Sequence, residues 1–319
     1  MKISKASLKI LVSAVMLVLV LYSVDLQQLI VNFHRASFLP IALFIVGYGL
    51  SQVISAFRWW IVARGAGIAC SFPRAISASF VGMYINVFGL GTLGGDLARA
   101  LLLTNNPQER QTSFATVVAD RSFGLATLGL IGVVSSLFVF SEKLSTGLLG
   151  ASIALVILVG FGWFIVPLIL KKFLSNTRWK ELIERFMRGF PRSARVLAPM
   201  AVAALAFHFT QIALFKLLAF GIGVTIPFNY LLVTIPFANI LSTLPLSWMG
   251  LGVRENVYVF FFVPIFLTAE QAVLCGALWL LAMTITSAVG GIVAVAGNSL
   301  TVIRNGAVRK GAVSIENQA

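Results

Sequence analysis

The sequence predicts an all-α polytopic membrane protein, with about six full spans and two re-entrant helical hairpins arranged as an inverted repeat. Three observations carry this expectation. The chain of 319 residues is 59% apolar, with a mean hydropathy of +0.98. Its uncharged runs reach the roughly 20 residues that a bilayer crossing needs. A glycine-rich break followed by an acid and an arginine also occurs twice, as GLGTLGGDLAR over 89–99 and SWMGLGVRE over 247–255.

The first span, over about 8–24, is built on an apolar run over 10–24 that follows Lys2, Lys5 and Lys9. It reads as an uncleaved helix, because no small-residue cleavage site follows Tyr22. The second span covers 37–57 and returns to a loop with Arg58, Arg64 and Arg74. The basic segment 171–195 holds eight Lys and Arg residues against Glu181 and Glu184, a net +6. By the positive-inside rule it is cytoplasmic, as are both termini. The fifth span, 147–170, must then enter that segment from outside, and the fourth, 112–140, must start inside.

Residues between Pro73 and Arg110 therefore leave and return on one face. The stretch 75–88 rises about 21 Å as a helix, past the middle of a core about 30 Å thick. Gly89, Gly91, Gly94 and Gly95 turn it, and the return over 97–103 is too short to span alone. In the second half, span six (198–222) exits and the last span (271–297) returns. The intervening 227–269 thus begins and ends outside, broken at Pro245, Gly250 and Gly252. The result is one membrane domain over 1–303 with repeat-like halves at 37–170 and 198–298. They are joined by 171–195 and followed by a short cytoplasmic tail, 304–319. Within the joining segment, Trp179, Leu182, Ile183, Phe186 and Met187 share one helical face. That face predicts a helix lying on the inner leaflet.

The net charge of +14 sits in loops and tails, so it reports topology and lipid contact rather than nucleic-acid binding. Two cysteines and two histidines, widely separated, give no metal or nucleophile motif. No P-loop is present, and no cofactor is expected. His208 and Gln211, three apart in span six, are expected to make a helix–helix hydrogen bond. Gly290 and Gly291 are expected to permit close helix packing.

The remaining polar signal is charge at membrane depth, which must face the protein interior or a wet cavity. Asp96 and Arg99 stand three apart and can pair on one helix face. Asp120 and Arg121 lie about 12 Å into span four by helical rise, and Arg254 and Glu255 follow the second break. These six residues are the candidate substrate-binding and translocation site, with arginine forks suited to phosphate. Ion pairs that merely latch the hairpins are the alternative reading.

Gly94-Gly95-Asp96 with Arg99, Asp120-Arg121 with Gly124-Leu125, and Pro245 with Gly250-Leu251-Gly252-Val253-Arg254-Glu255 resemble one known family. It contains the transmembrane region of lysylphosphatidylglycerol synthases and its stand-alone flippase-like relatives. The resemblance covers about residues 8–298, and Asp120 stands where Glu is as frequent. It implies movement of a lipid between leaflets of the cytoplasmic membrane. In that family synthesis belongs to a separate soluble domain, and only sixteen residues follow Ile303, so a non-enzymatic stand-alone region is expected here. The partners implied are membrane lipids, an anionic phospholipid or glycolipid, with a second copy or a lipid-synthesis enzyme as protein partners. Two other functions stay open. One is a transferase on a lipid or polyprenyl-phosphate substrate, with Asp96 or Asp120 as base. The other is a scaffold of a lipid-synthesis complex.

Overall fold

The computed structural model describes residues 25–88, 91–138, 146–173, 180–243 and 252–296. These form twelve α-helices and one 3-10 turn, with no strand among the described residues. The helices are α1 (Leu26–Arg35), α2 (Phe38–Gly65), α3 (Phe72–Phe88), α4 (Gly91–Leu103), α5 (Arg110–Ser136) and α6 (Thr146–Phe164). They continue as α7 (Val166–Phe173), α8 (Lys180–Arg188), α9 (Ala194–Gly221), α10 (Phe228–Thr243), α11 (Val253–Phe262) and α12 (Ala269–Ala296). Five stretches are long and apolar enough to cross a membrane: Phe38–Gly65, Pro107–Ser136, Thr146–Leu170, Ala194–Gly221 and Ala269–Ala296. They match five of the six expected spans, and the expected first span, 8–24, lies outside the described residues.

The repeat is visible in the helices. The series α2 to α5 has lengths of 28, 17, 13 and 27 residues, and α9 to α12 has 28, 16, 10 and 28. The two leading helices also stop in the same way. Gly67 has φ +87° and Gly223 has φ +82°. After α2, Ile68 N–H donates to Ala63 O and Gly67 N–H to Arg64 O. After α9, Val224 N–H donates to Ala219 O and Gly223 N–H to Phe220 O. Each is a Schellman ending, which needs a left-handed residue that glycine supplies without strain.

This stop corrects the second span. It runs eight residues beyond Phe57, because the Gly67 ending, and not the first charge, terminates it. Arg58 is therefore a buried helical residue rather than a loop residue. The first hairpin is also corrected. Gly94 and Gly95 lie inside α4, not at a break, and the connection from α3 falls at 89–90, outside the described residues. The reason for Gly95 is close approach. A Cβ there would collide with Asn86 Oδ1 and the Gly82 carbonyl on α3.

The second hairpin pairs α10 with α11, and Pro245 and Gly250 of its expected break lie outside the described residues. Gly252 is described and takes φ +76° immediately before α11. Its returning helix runs from Val253 to Phe262. It stops there because Val263 precedes Pro264, which disfavours helical backbone in the residue before it. Val263 accordingly has ψ 135°.

Two further differences concern short helices. Between α6 and α7 the chain is interrupted at Ile165. Pro167 has no N–H for the Trp163 carbonyl, which instead accepts from Arg192 Nε at 3.0 Å. Helix α1 was not expected. Asp25 caps it by accepting from Gln27 N–H at 2.8 Å and Gln28 N–H at 3.3 Å, which satisfies first-turn donors. Its Leu29 packs against Val273.

The chain divides into two compact units, each drawing on both repeat halves. The first comprises Met1–Gln52, Phe123–Val159 and Leu205–Thr284. Its core is aromatic: Phe215 contacts Tyr258 at 4.9 Å and Phe262 at 5.1 Å between ring centroids, and Phe44 contacts Trp279 at 5.4 Å. Within it His208 Nε2 meets the Gly124 carbonyl at 3.0 Å, the expected helix–helix hydrogen bond.

The second unit comprises Val53–Ser122, Gly160–Ala204 and Ile285–Ala319. Trp59, Ala63, Ile68, Ala75, Ala78, Ala100, Leu103 and Val117 form its core. The small residues let α3 and α4 approach closely. Gly290 plays the same part on α12, where a Cβ would collide with the Phe80 carbonyl. The amphipathic helix α8 forms as expected from Lys180, and it docks on α5: Thr112 Oγ1 donates to Arg185 O at 2.9 Å, and Gly189 packs against Ala115. Trp179 lies outside the described residues.

Candidate functional site

The second unit gathers four of the six candidate charges and adds a fifth. Asp96 and Arg99 project from α4, three residues apart and so on one face. Asp120 and Arg121 are consecutive on α5, so their side chains diverge by about 100° around the helix. The pairing is crossed. Arg121 Nη2 donates to Asp96 Oδ1 at 2.7 Å, and Arg99 Nη2 donates to Asp120 Oδ2 at 3.4 Å. The expected pair within α4, Asp96 with Arg99, is not made, because both side chains reach across to the opposite charges on α5.

Arg58 completes the cluster, donating from Nε to Asp120 Oδ1 at 2.7 Å. Sequence reasoning assigned it to a loop. The signal that identifies it is the distance to the helix stop: Arg58 lies more than two turns before Gly67. Asp120 thus receives one arginine on each oxygen. Its side chain is 2% exposed, and those of Arg58 and Arg99 are 6% and 12% exposed. The Asp96–Arg121 pair is more open, with 37% of the Arg121 side chain exposed.

Trp59, also not foreseen as part of the site, fixes Arg99 from the other side. The Arg99 guanidinium lies 4.1 Å from the indole centroid, within cation–π range. The indole N–H donates to Thr116 Oγ1 at 3.0 Å, and Thr116 Oγ1 donates to Ser113 O at 2.7 Å. Ser113 Oγ in turn donates to Ala100 O at 2.7 Å. This chain ties α2, α5 and α4 together around one guanidinium. Arg74 closes the end of α4, donating to Leu102 O at 2.8 Å and Asn105 Oδ1 at 2.7 Å.

The cluster holds three arginines against two aspartates. Arg99 Nε and Arg121 Nε are buried without a hydrogen-bond partner among the described residues. A buried donor without an acceptor is costly, and an excess cation in a shielded place is costlier. The arrangement therefore favours an anion with several oxygen acceptors. Among the described residues no His, Cys, Asp and Glu cluster is placed to hold a metal ion.

Arg254 and Glu255 belong to the first unit and do not pair with each other. Glu255 is buried and reaches back along its own helix, where its Oε2 accepts from Gly252 N–H at 2.7 Å. It also fills the space beside Gly276, where a Cβ would lie 2.7 Å from Glu255 Cγ and Oε1. Glu255 thus stands at the third position of α11 and satisfies the N–H of its N-cap, Gly252. No carboxylate among the described residues forms an ion pair with Arg254. Its charge lies within electrostatic reach of the Tyr48 and Tyr258 phenols.

Comparison with known proteins agrees with this architecture. A family model described as the lysylphosphatidylglycerol synthase TM region matches residues 7–291. A UPF0104 membrane protein of Pyrococcus horikoshii is 27% identical over 158 residues, covering 49% of this chain and 47% of the relative. A UPF0104 membrane protein of Methanothermobacter thermautotrophicus is 27% identical over 124 residues, covering 38% of this chain and 35% of the relative. The chain therefore matches half or less of the length of these relatives.

Proposed function

Because the chain belongs to the lysylphosphatidylglycerol synthase transmembrane-region family and is a multi-pass membrane protein, we propose that it moves a phospholipid or lipid-linked head group across the cytoplasmic membrane. The observation that carries this reading is the gathering of three arginines around only two carboxylates, Asp96 and Asp120. A lipid phosphate supplies the oxygens that Arg99 Nε and Arg121 Nε lack, and arginine forks match its geometry. The acyl chains stay in the bilayer while the head group crosses in a polar environment. The partners are the lipids themselves, anionic phospholipid or glycolipid. Both termini and the basic segment 171–195 face the cytoplasm by the charge rule.

Repeated helix series with interrupted hairpins are a common plan of secondary transporters, whose sites form at broken helices. The repeat of α2–α5 in α9–α12 supports the reading for that reason. The test is reconstitution of the purified protein in vesicles carrying fluorescent phospholipids of several classes, with transbilayer movement read by chemical quenching. Movement above protein-free vesicles for at least one class is expected. No movement for any class, together with a lipid product formed only when the protein is present, would replace transport by a transferase activity.

A further inference from the structure

The two aspartates of the cluster are held differently, and the difference assigns them different work. Asp120 is engaged on both oxygens: Oδ1 accepts from Arg58 and Oδ2 from Arg99, and none of the three side chains is more than 12% exposed. Asp96 holds Arg121 by one hydrogen bond to Nη2. The Arg121 Nε beside it is buried and has no partner among the described residues. More than a third of the same side chain is exposed. One guanidinium edge is thus half used, on the one arginine of the cluster whose side chain is substantially exposed. A phosphate can engage Nε and Nη2 of one arginine together, the bidentate arrangement that a single carboxylate oxygen does not achieve.

We propose that Asp96 is a built-in competitor for the anion site, occupying Arg121 while the site is empty and giving way to a phosphate that takes both Nε and Nη2. Asp120 with Arg58 and Arg99 remains paired throughout and holds α2, α4 and α5 in register. The ligand class is a phosphate anion, either a phosphodiester head group or free phosphate. The exchange keeps Arg121 compensated in both states, so no uncompensated cation is exposed to the membrane interior when the site empties. This inference rests on the lipid-transport reading for its biological ligand, but its binding test is independent of transport.

The experiment uses the purified full-length chain in detergent. Binding of inorganic phosphate and of dihexanoyl-phosphatidylglycerol, which is soluble as a monomer, is measured separately through the shift each gives in thermal unfolding. Wild type is compared with Asp96→Asn, Asp96→Ser and the double variant Asp96→Asn/Arg121→Gln. Removing the competitor should tighten binding by about tenfold or more, the factor a charge-assisted hydrogen bond is worth. The double variant should bind at least about tenfold more weakly than wild type by the same scale. Tightening for the phospholipid alone identifies a head-group site, and tightening for both identifies a general phosphate site.

Binding unchanged or weakened in whichever single variant folds would overturn the competitor role. If neither single variant folds while the double variant does, Asp96–Arg121 is a structural clamp, which overturns it equally. Tighter binding in Asp96→Asn with no lipid movement by wild type would leave this inference standing and remove only the transport reading.

Discussion

Arg58 Nε donates to Asp120 Oδ1 at 2.7 Å, joining α2 to α5 between residues that are 62 positions apart. Neither group is accessible, so each is the other's substitute for solvent. A buried pair of this kind is weak evidence for net stability, but breaking it by removing one partner typically costs about 3–5 kcal/mol.

The losses should be unequal. Arg58→Gln leaves Asp120 with Arg99, whereas Asp120→Asn strands two guanidinium groups at once. Asp120→Asn should therefore lower the unfolding midpoint in detergent further than Arg58→Gln, with its loss in the range of about 3–5 kcal/mol. Equal midpoints would show that Arg99 does not share the load.

Gly95 and Gly252 should both resist substitution, for different reasons. At Gly95 the backbone is helical and the obstacle is contact with α3, so even alanine overpacks the hairpin, by about 1–3 kcal/mol or more. At Gly252 the obstacle is φ +76°, a strain of about 1–3 kcal/mol for other residues. Gly150 is the control. It is helical and a Cβ there meets nothing within 4 Å, so Gly150→Ala should stabilise by about 0.5–1 kcal/mol. Thermal unfolding of the three alanine variants checks the order.

Glu255 separates a capping role from a charge role. Glutamine keeps an oxygen that can accept from Gly252 N–H, and alanine does not. Glu255→Ala leaves the buried Gly252 N–H without its acceptor and should cost about 1–3 kcal/mol, and Glu255→Gln much less. If lipid movement falls equally in both variants while Glu255→Gln keeps its stability, the negative charge itself takes part in transport.

Trp59 offers a conservative probe of Arg99. Trp59→Phe keeps an aromatic face but loses the N–H donated to Thr116. A net loss of about 0.5–1.5 kcal/mol is expected from the hydrogen bond, with a modest fall in lipid movement. Trp59→Leu, which also removes the cation–π contact, should fall further in both measurements. Identical behaviour of the two variants would show that the ring face contributes nothing.

Orientation is checked with single cysteines at exposed loop positions. Cys70 and Cys275 are buried and contribute little background labelling. Thr225→Cys should react with an impermeant thiol reagent on intact cells, and Ala69→Cys and Gln108→Cys only after permeabilisation. External labelling of Gln108→Cys would remove the inverted-repeat orientation.

The sequence by itself determined the all-α membrane class and the places of the five described spans, because both are local properties. Hydropathy over about 20 residues selects a span, although where a span ends was settled only by the left-handed glycine that stops it. The family was legible for the same reason, since its motifs are contiguous. Tertiary structure alone decided who pairs with whom. Spacing along α4 suggested Asp96 with Arg99, yet both face α5, whose consecutive Asp120 and Arg121 divide them between two partners. Arg58 entered the cluster through a contact 62 positions away, and Gly95 proved to be a point of helix contact rather than a break. These outcomes depend on which helix faces another, and no local pattern within a single segment encodes that.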